Sequence, residues 1–157
     1  MAAPAGGGAE SVAAGGAAAA AAGAPAAPAG GDRASYQAAF ELLKQGRYEQ
    51  ATQAFRKFLA DYPASTLLDN GQYWLAESIY VTQKYKEALP EFEAVLTRYP
   101  QSRKIPDALL KVGYCNYELK HYDAARTALS RVVKDYKETT AARLANQRLQ
   151  QMAAEGH

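Results

Sequence analysis

The 157-residue chain is poor in the residues that build most chemical sites. It holds one cysteine, Cys115, and two histidines, His121 and His157. A single cysteine excludes an internal disulfide and a Cys-based zinc site, and two histidines are too few for a His-rich metal site. No metal and no cofactor are expected. No uninterrupted apolar run approaches the roughly 18 residues that a membrane-spanning helix needs, so membrane insertion is not expected. No Lys or Arg precedes Arg33, and no Leu-rich segment opens the chain. A secretory leader is therefore not visible, and an exported protein would have lost it already. Basic residues never exceed two in a row (Arg56-Lys57, Arg103-Lys104) and the formal net charge is only +2. That excludes the long cationic stripe of a nucleic-acid binder.

Catalytic patterns are equally scarce. Gly46, Gly71 and Gly113 are isolated, so no Gly-rich loop is available to cradle phosphate. Gly-x-Ser-x-Gly does not occur. Cys115 and His121 lie six residues apart with no third group to orient them, which is weak support for a nucleophile. Glu91 and Glu93, two apart on a helix, do not face each other. The chain has no length left over for a separate catalytic domain, and it reads as a non-enzyme. At a step of 37 residues Cys115 aligns with the polar Glu41 and Ser78, and it is expected to be a partly exposed helix residue.

What the chain does contain is unevenly spread. Residues 1–31 comprise 16 Ala, 8 Gly and 3 Pro, with Glu10 as the one charge. The Ala17–Ala22 run favours helix, but Gly15, Gly16, Gly23, Pro25 and Pro28 bracket it and leave it too short to persist. With nothing bulky to bury, residues 1–31 read as a disordered linker. All 11 Tyr, all 4 Phe, the one Trp and all 18 Lys and Arg fall in residues 32–157. That length matches one domain of typical size, about 100–150 residues.

The second region repeats with a step of 37 residues. Tyr48, Tyr85 and Tyr122 stand in register, as do Ala51, Ala88 and Ala125. Phe55, Phe92 and Leu129 share the step, then Phe58, Val95 and Val132, then Leu59, Leu96 and Val133. Tyr62, Tyr99 and Tyr136 close the series, with Pro63, Pro100 and Lys137 and then Ser65, Ser102 and Thr139 after them. Within each unit the apolar residues recur at helical spacing. Tyr-Pro-x-Ser (62–65 and 99–102) stops a helix, because proline disfavours helical geometry in the residue before it and serine can cap the next helix. The pattern predicts helices near 34–45, 48–61, 68–82, 85–98, 106–119 and 122–136. A seventh, near 139–152, carries one apolar stripe and one polar face, as a solenoid cap requires. Gly46 suits a helix end that needs positive φ, and Pro90, one turn into its helix, predicts a local distortion there.

These units resemble the tetratricopeptide repeat, a helix–turn–helix of about 34 residues. Leu75-Ala76-x-x-Ile79, Tyr85, Ala88, Phe92, Val95 and Pro100 fill its places in the second unit. Val112-Gly113, Tyr122, Ala125, Leu129 and Val132 fill them in the third, and Ala38-Ala39-x-x-Leu42, Gly46, Tyr48, Ala51, Phe55, Phe58 and Pro63 in the first. Gln72 occupies the place where Trp is usual. The fold class expected is all-α: a solenoid of three helical hairpins at about 34–66, 68–103 and 106–138, with a capping helix at 139–152. The longer step, the Tyr-Pro-x-Ser stop, Tyr73-Trp74-Leu75-Ala76, the opening Tyr36-x-x-Ala39-Phe40 and the closing Ala142-x-x-Ala145-x-x-Arg148-Leu149 are similar to the C-terminal domain of the YbgF/CpoB family of the Tol–Pal system. That resemblance covers about residues 34–152. It implies a periplasmic scaffold that binds TolA and links outer-membrane constriction to septal peptidoglycan synthesis during cell division. It also implies that residues 1–31 correspond to the linker that joins an N-terminal coiled coil to the repeats in that family. No heptads occur here, so this chain is expected to be a monomer and the full-length protein an oligomer.

Stacked helix pairs of this type curve, with the first helix of each pair on the inner surface. Register places Arg33, Tyr36, Phe40, Leu43 and Lys44 inward in the first unit. Asn70, Tyr73, Glu77, Tyr80 and Val81 take those places in the second, and Asp107, Leu110, Tyr114, Tyr117 and Glu118 in the third. Six of these are aromatic, and such rings bury large area while a phenol keeps a hydrogen bond. Tyr73, Tyr80 and Tyr117 are expected to be more available than Tyr36 and Tyr114, which could pack against a neighbouring unit. Arg33 and Lys44 at one end and Asp107 and Glu118 at the other predict a charge gradient matched to an elongated protein partner, with too few cations to clamp a terminal carboxylate. The same aromatics could instead meet another copy of the chain in a self-assembling structural module.

Overall fold

A computed structural model describes residues 30–157, and residues 1–29 of the linker expected over residues 1–31 lie outside the described residues. Seven helices run in order: α1 (Gly31–Lys44), α2 (Tyr48–Asp61), α3 (Leu68–Tyr80), α4 (Tyr85–Arg98), α5 (Ile105–Glu118), α6 (Tyr122–Asp135) and α7 (Thr140–Ala154). They form an all-α helical-repeat solenoid in which each helix packs on the next. The bounds of α2 and α4 match the expected ones. α1 begins three residues earlier than 34, so Gly31, assigned by composition to the linker, opens it. α4 runs unbroken through Pro90, against the distortion expected there. Pro90 is exposed, so its ring meets no packed neighbour on the outer side.

The small positions of the register let the helices close up. Ala39, Ala51, Ala76, Ala88 and Ala125 are fully buried, as are Phe55, Phe92, Leu129, Phe58, Val95 and Val132. Glycine is needed at two further contacts. A Cβ on Gly71 would stand 2.5 Å from the Phe58 ring, and one on Gly113 would stand 2.6 Å from Leu129. Register with Ala39 and Ala76 marks Gly113 as a close contact. The same step sets Gly71 in register with Ala34 and Ala108, another row of small residues, and its partner Phe58 belongs to the preceding hairpin.

The turn inside each hairpin is a left-handed residue at the same step of 37: Gly46 (φ 75), Gln83 (φ 64) and Lys120 (φ 62). The second and third hairpins place ordinary side chains where glycine is favoured, and each bears the steric cost of that conformation.

The serine of each Tyr-Pro-x-Ser stop does not cap the next helix, contrary to the expectation from sequence. Ser65 Oγ donates to Asp32 at 2.7 Å and accepts from Leu67 N at 3.1 Å. Ser102 Oγ donates to Asp69 at 2.5 Å and accepts from Lys104 N at 3.0 Å. Each serine thus clasps the start of its own hairpin to the turn that leaves it. The third unit has Pro106 in place of the aspartate, and there Thr139 caps α7 instead, accepting from Ala142 N at 3.1 Å.

Among the described residues, α1 approaches α3 directly and α5 approaches α7, while α3 and α5, and the second helices among themselves, show no comparable backbone approach. The stack therefore bends towards its first helices. α7 occupies the place of a fourth first helix. Its buried residues Ala141, Ala142, Ala145 and Met152 cover the third hairpin, and Arg143, Asn146, Gln147 and Gln150 face outward.

Candidate functional site

The inner face is built from α1, α3, α5 and α7, and one geometric slot recurs along it. A residue on one first helix meets a residue 34 positions later on the next. Phe40 meets Trp74 edge-on with ring centroids 5.0 Å apart. Glu77 Oε1 meets Lys111 Nζ at 3.2 Å. Tyr114 meets the Arg148 guanidinium, which lies 4.1 Å from the ring centroid. The same 34-residue offset is thus filled by an aromatic pair, then an ion pair, then a cation over an aromatic face.

The expected groove residues divide by burial. Tyr73 is 7% exposed and Leu110 is 4% exposed. These two, with Tyr36, share one register position, and the structure places Tyr73 and Leu110 in the core between hairpins. Tyr73 packs against Phe92 at 5.6 Å and Trp74 at 5.1 Å, and burial drives its phenol well above the usual range. Neither side chain is available as a docking contact, which corrects the expectation for both.

The remaining rings are half-buried. Tyr36 lies edge-on to Phe55 and Phe58 at 6.0 and 5.8 Å, and Phe40 stacks beside it. Tyr80 leans on Tyr85 and Phe92 at 5.3 and 6.0 Å; burial pushes its phenol up strongly. Tyr114 is likewise raised by burial. Tyr117 packs edge-on against Tyr122 at 5.8 Å, and its hydroxyl donates to Glu155 Oε2 at 2.7 Å. That bond is the main reason its phenol titrates high.

Among the polar residues, Lys44 is exposed and pairs with Glu41 at 2.7 Å. The Asn70 amide donates to Asp69 at 3.4 Å. Asp107 is half-buried, and Arg33, Val81 and Glu118 are exposed.

Sequence register missed the cations. Lys104 Nζ lies 4.8 Å from the Tyr73 centroid and 5.0 Å from that of Trp74. Lys111 Nζ lies 4.2 Å above Tyr80, and Arg148 lies 4.7 Å from Tyr117 as well as over Tyr114. The expected gradient, basic at one end and acidic at the other, is therefore corrected: Lys104 and Lys111 lie over rings of the second hairpin and Arg148 over rings of the third. The sequence signal for Lys111 and Arg148 is the 34-residue offset that pairs 40 with 74, 77 with 111 and 114 with 148. The 37-residue step does not reveal it, because that step aligns equivalent positions rather than positions in contact.

Lys111 and Glu77 are both largely shielded, with side chains 18% and 15% exposed. Glu77 Oε2 is a buried acceptor and Arg148 Nη1 a buried donor, each without a hydrogen-bond partner among the described residues. Unmet groups of this kind are costly. Cys115 is fully buried, not partly exposed as expected, and burial pushes its thiol up to about 12. It is an unreactive core residue at neutral pH.

Known proteins share parts of this chain. Residues 28–105 match the family described as YfiO, outer membrane lipoprotein. Residues 107–139 match the tetratricopeptide repeat. Two proteins of Pseudomonas putida, each named cell division coordinator CpoB, are 48% identical to this chain over 46 residues. The match covers 29% of this chain and 17% of each of those proteins, less than a fifth of their length. The chain is a tetratricopeptide-type solenoid that contains a stretch similar to the cell division coordinator CpoB.

Proposed function

We propose that this chain is a non-enzymatic, protein-binding scaffold of the cell envelope that takes part in coordinating cell division. On this reading it works in the periplasm, and an elongated partner lies along the inner face of α1, α3, α5 and α7. The name of the matched Pseudomonas proteins supports the cell-division role, and the outer-membrane description of the family matched over residues 28–105 supports the envelope. The observation that carries the docking surface is the row of half-buried rings, Tyr36, Phe40, Tyr80, Tyr114 and Tyr117, on the inner side of the bend. A solvated helix face has no need of such rings, and aromatic residues of this kind dominate protein interfaces.

The partner proposed is TolA, through which the scaffold would connect outer-membrane constriction to the peptidoglycan synthase machinery. The test is an amide shift map of the labelled chain titrated with the C-terminal part of TolA. Shifts along α1, α3, α5 and α7 support the reading. Shifts confined to α2, α4 and α6 reject it.

A further inference from the structure

The C-terminal end of the inner face already holds a carboxylate, and it is the chain's own. Glu155 lies just past α7, exposed to solvent. Its Oε2 accepts from the Tyr117 hydroxyl at 2.7 Å and its Oε1 from Gln151 Nε2 at 2.8 Å. Gln151 Nε2 also reaches the Tyr117 oxygen at 3.3 Å, so the two donors form one small platform. The Arg148 guanidinium lies over Tyr114 and Tyr117 beside that platform. Its buried Nη1 lacks an acceptor among the described residues.

Two features count against a helix-holding role for the Glu155 carboxylate, whose backbone N–H caps α7. A negative charge at a helix C-terminus is disfavoured by the helix dipole. Its two bonds are exposed, and exposed bonds of this kind are worth little and exchange easily with solvent or a ligand. The donors nevertheless favour the ionised carboxyl, which they hold below its usual range, Tyr117 first and Gln151 second.

We propose that Tyr117, Gln151 and Arg148 form a carboxylate-recognition patch, that Glu155 occupies it as an internal placeholder, and that an acidic side chain in an extended segment of the partner displaces Glu155. The inference rests on the inner-face reading and gives the partner a chemistry: at least one Asp or Glu at the point where it passes α5 and α7. Displacement gives the partner's carboxylate the Tyr117 and Gln151 donors, with the positive charge of the Arg148 guanidinium beside them. Charge-assisted bonds of this type are stronger than neutral ones.

The test uses the whole chain and a fluorescein-labelled, C-amidated hexaglutamate peptide, monitored by anisotropy at low salt. The expected result is saturable binding. Glu155→Gln should strengthen it by about threefold or more, since the competitor is gone. Arg148→Gln should weaken it by about tenfold, and Tyr117→Phe, which keeps the ring, by a few-fold. A thermal melt of each variant separates lost recognition from lost fold. Binding unchanged by Glu155→Gln overturns the placeholder, and amide shifts away from Tyr117, Gln151 and Arg148 overturn the patch. Hexaglutamine with a free C-terminal carboxylate is the second arm, and equal binding there assigns the patch to chain termini and overturns the acidic-segment proposal. If the TolA titration maps to the inner face while hexaglutamate fails to bind, the scaffold reading stands and this inference falls; if neither touches the inner face, both fall.

Discussion

The first and last junctions of the solenoid fill one 34-residue offset with different chemistry. Between α1 and α3, Phe40 meets Trp74, and Tyr73 beside it is sealed into the core. Between α5 and α7 the same slot holds Tyr114 and Arg148, and Tyr117 beside it keeps a polar contact at the surface. The aromatic pair contributes its buried area plus about 0.5–1.5 kcal/mol of ring contact. The half-exposed cation over a ring contributes about 0.5–2 kcal/mol. The contact that the fold repeats is geometric, and its chemistry is free to move from an apolar pair at one end to a polar, surface-accessible one at the other. The middle junction lies between them, with Glu77 and Lys111 paired and shielded.

The sharpest way to break this comparison is to truncate one tyrosine at each end. Tyr73→Ala should cost roughly 3 kcal/mol or more in denaturant unfolding, as for other large core rings, whereas Tyr117→Ala should cost under about 1 kcal/mol. Equal costs would erase the distinction between the two ends. At the middle junction, Lys111→Met leaves a shielded carboxylate unpaired and should cost about 1–3 kcal/mol. Adding Glu77→Leu should recover most of it, since an apolar pair can replace a shielded ion pair. Urea melts of the two variants decide it.

At the hairpin turns, Gln83→Gly and Lys120→Gly should each stabilise by about 0.5–1 kcal/mol, while Gly46→Ala should destabilise by a similar amount. Differential scanning calorimetry checks all three. The smallest effect concerns the clasp. Ser65 is the main reason that the Asp32 carboxyl sits below its usual range. That contribution is therefore present above the ordinary carboxylate range and fades as pH falls through the lower folded value. Ser65→Ala should lower stability slightly at neutral pH and change it less in acid, so that the acid limb of the stability profile flattens. Urea melts at a series of pH values check the slope.

Most of the fold was legible because its signal is local and threefold repeated. Ala51, Ala88 and Ala125 mark a close helix contact whatever surrounds them, and helical spacing locates each partner ring. Less of the candidate site was legible. Tyr73 and Leu110 looked inward in register but are core, because position along a helix face does not tell how far the next hairpin covers it. Lys104, Lys111 and Arg148 were missed because long cationic side chains reach rings on the preceding hairpin. Asp32 and Asp69 escaped notice for a related reason, since their serine partners lie 33 residues away on the far side of a hairpin. Gln83 and Lys120 gave no sequence cue to their left-handed backbone, which only the register with Gly46 could have supplied.

The central claim is that a protein partner lies on the bend's inner side, across the three junction pairs. The most direct measurement is the amide shift map of the chain with the C-terminal part of TolA, repeated with Arg148→Gln. The account predicts saturable shifts along α1, α3, α5 and α7, with those near Tyr114 and Tyr117 reduced in the variant. Shifts restricted to α2, α4 and α6, or a titration that moves no inner-face amide, would contradict it.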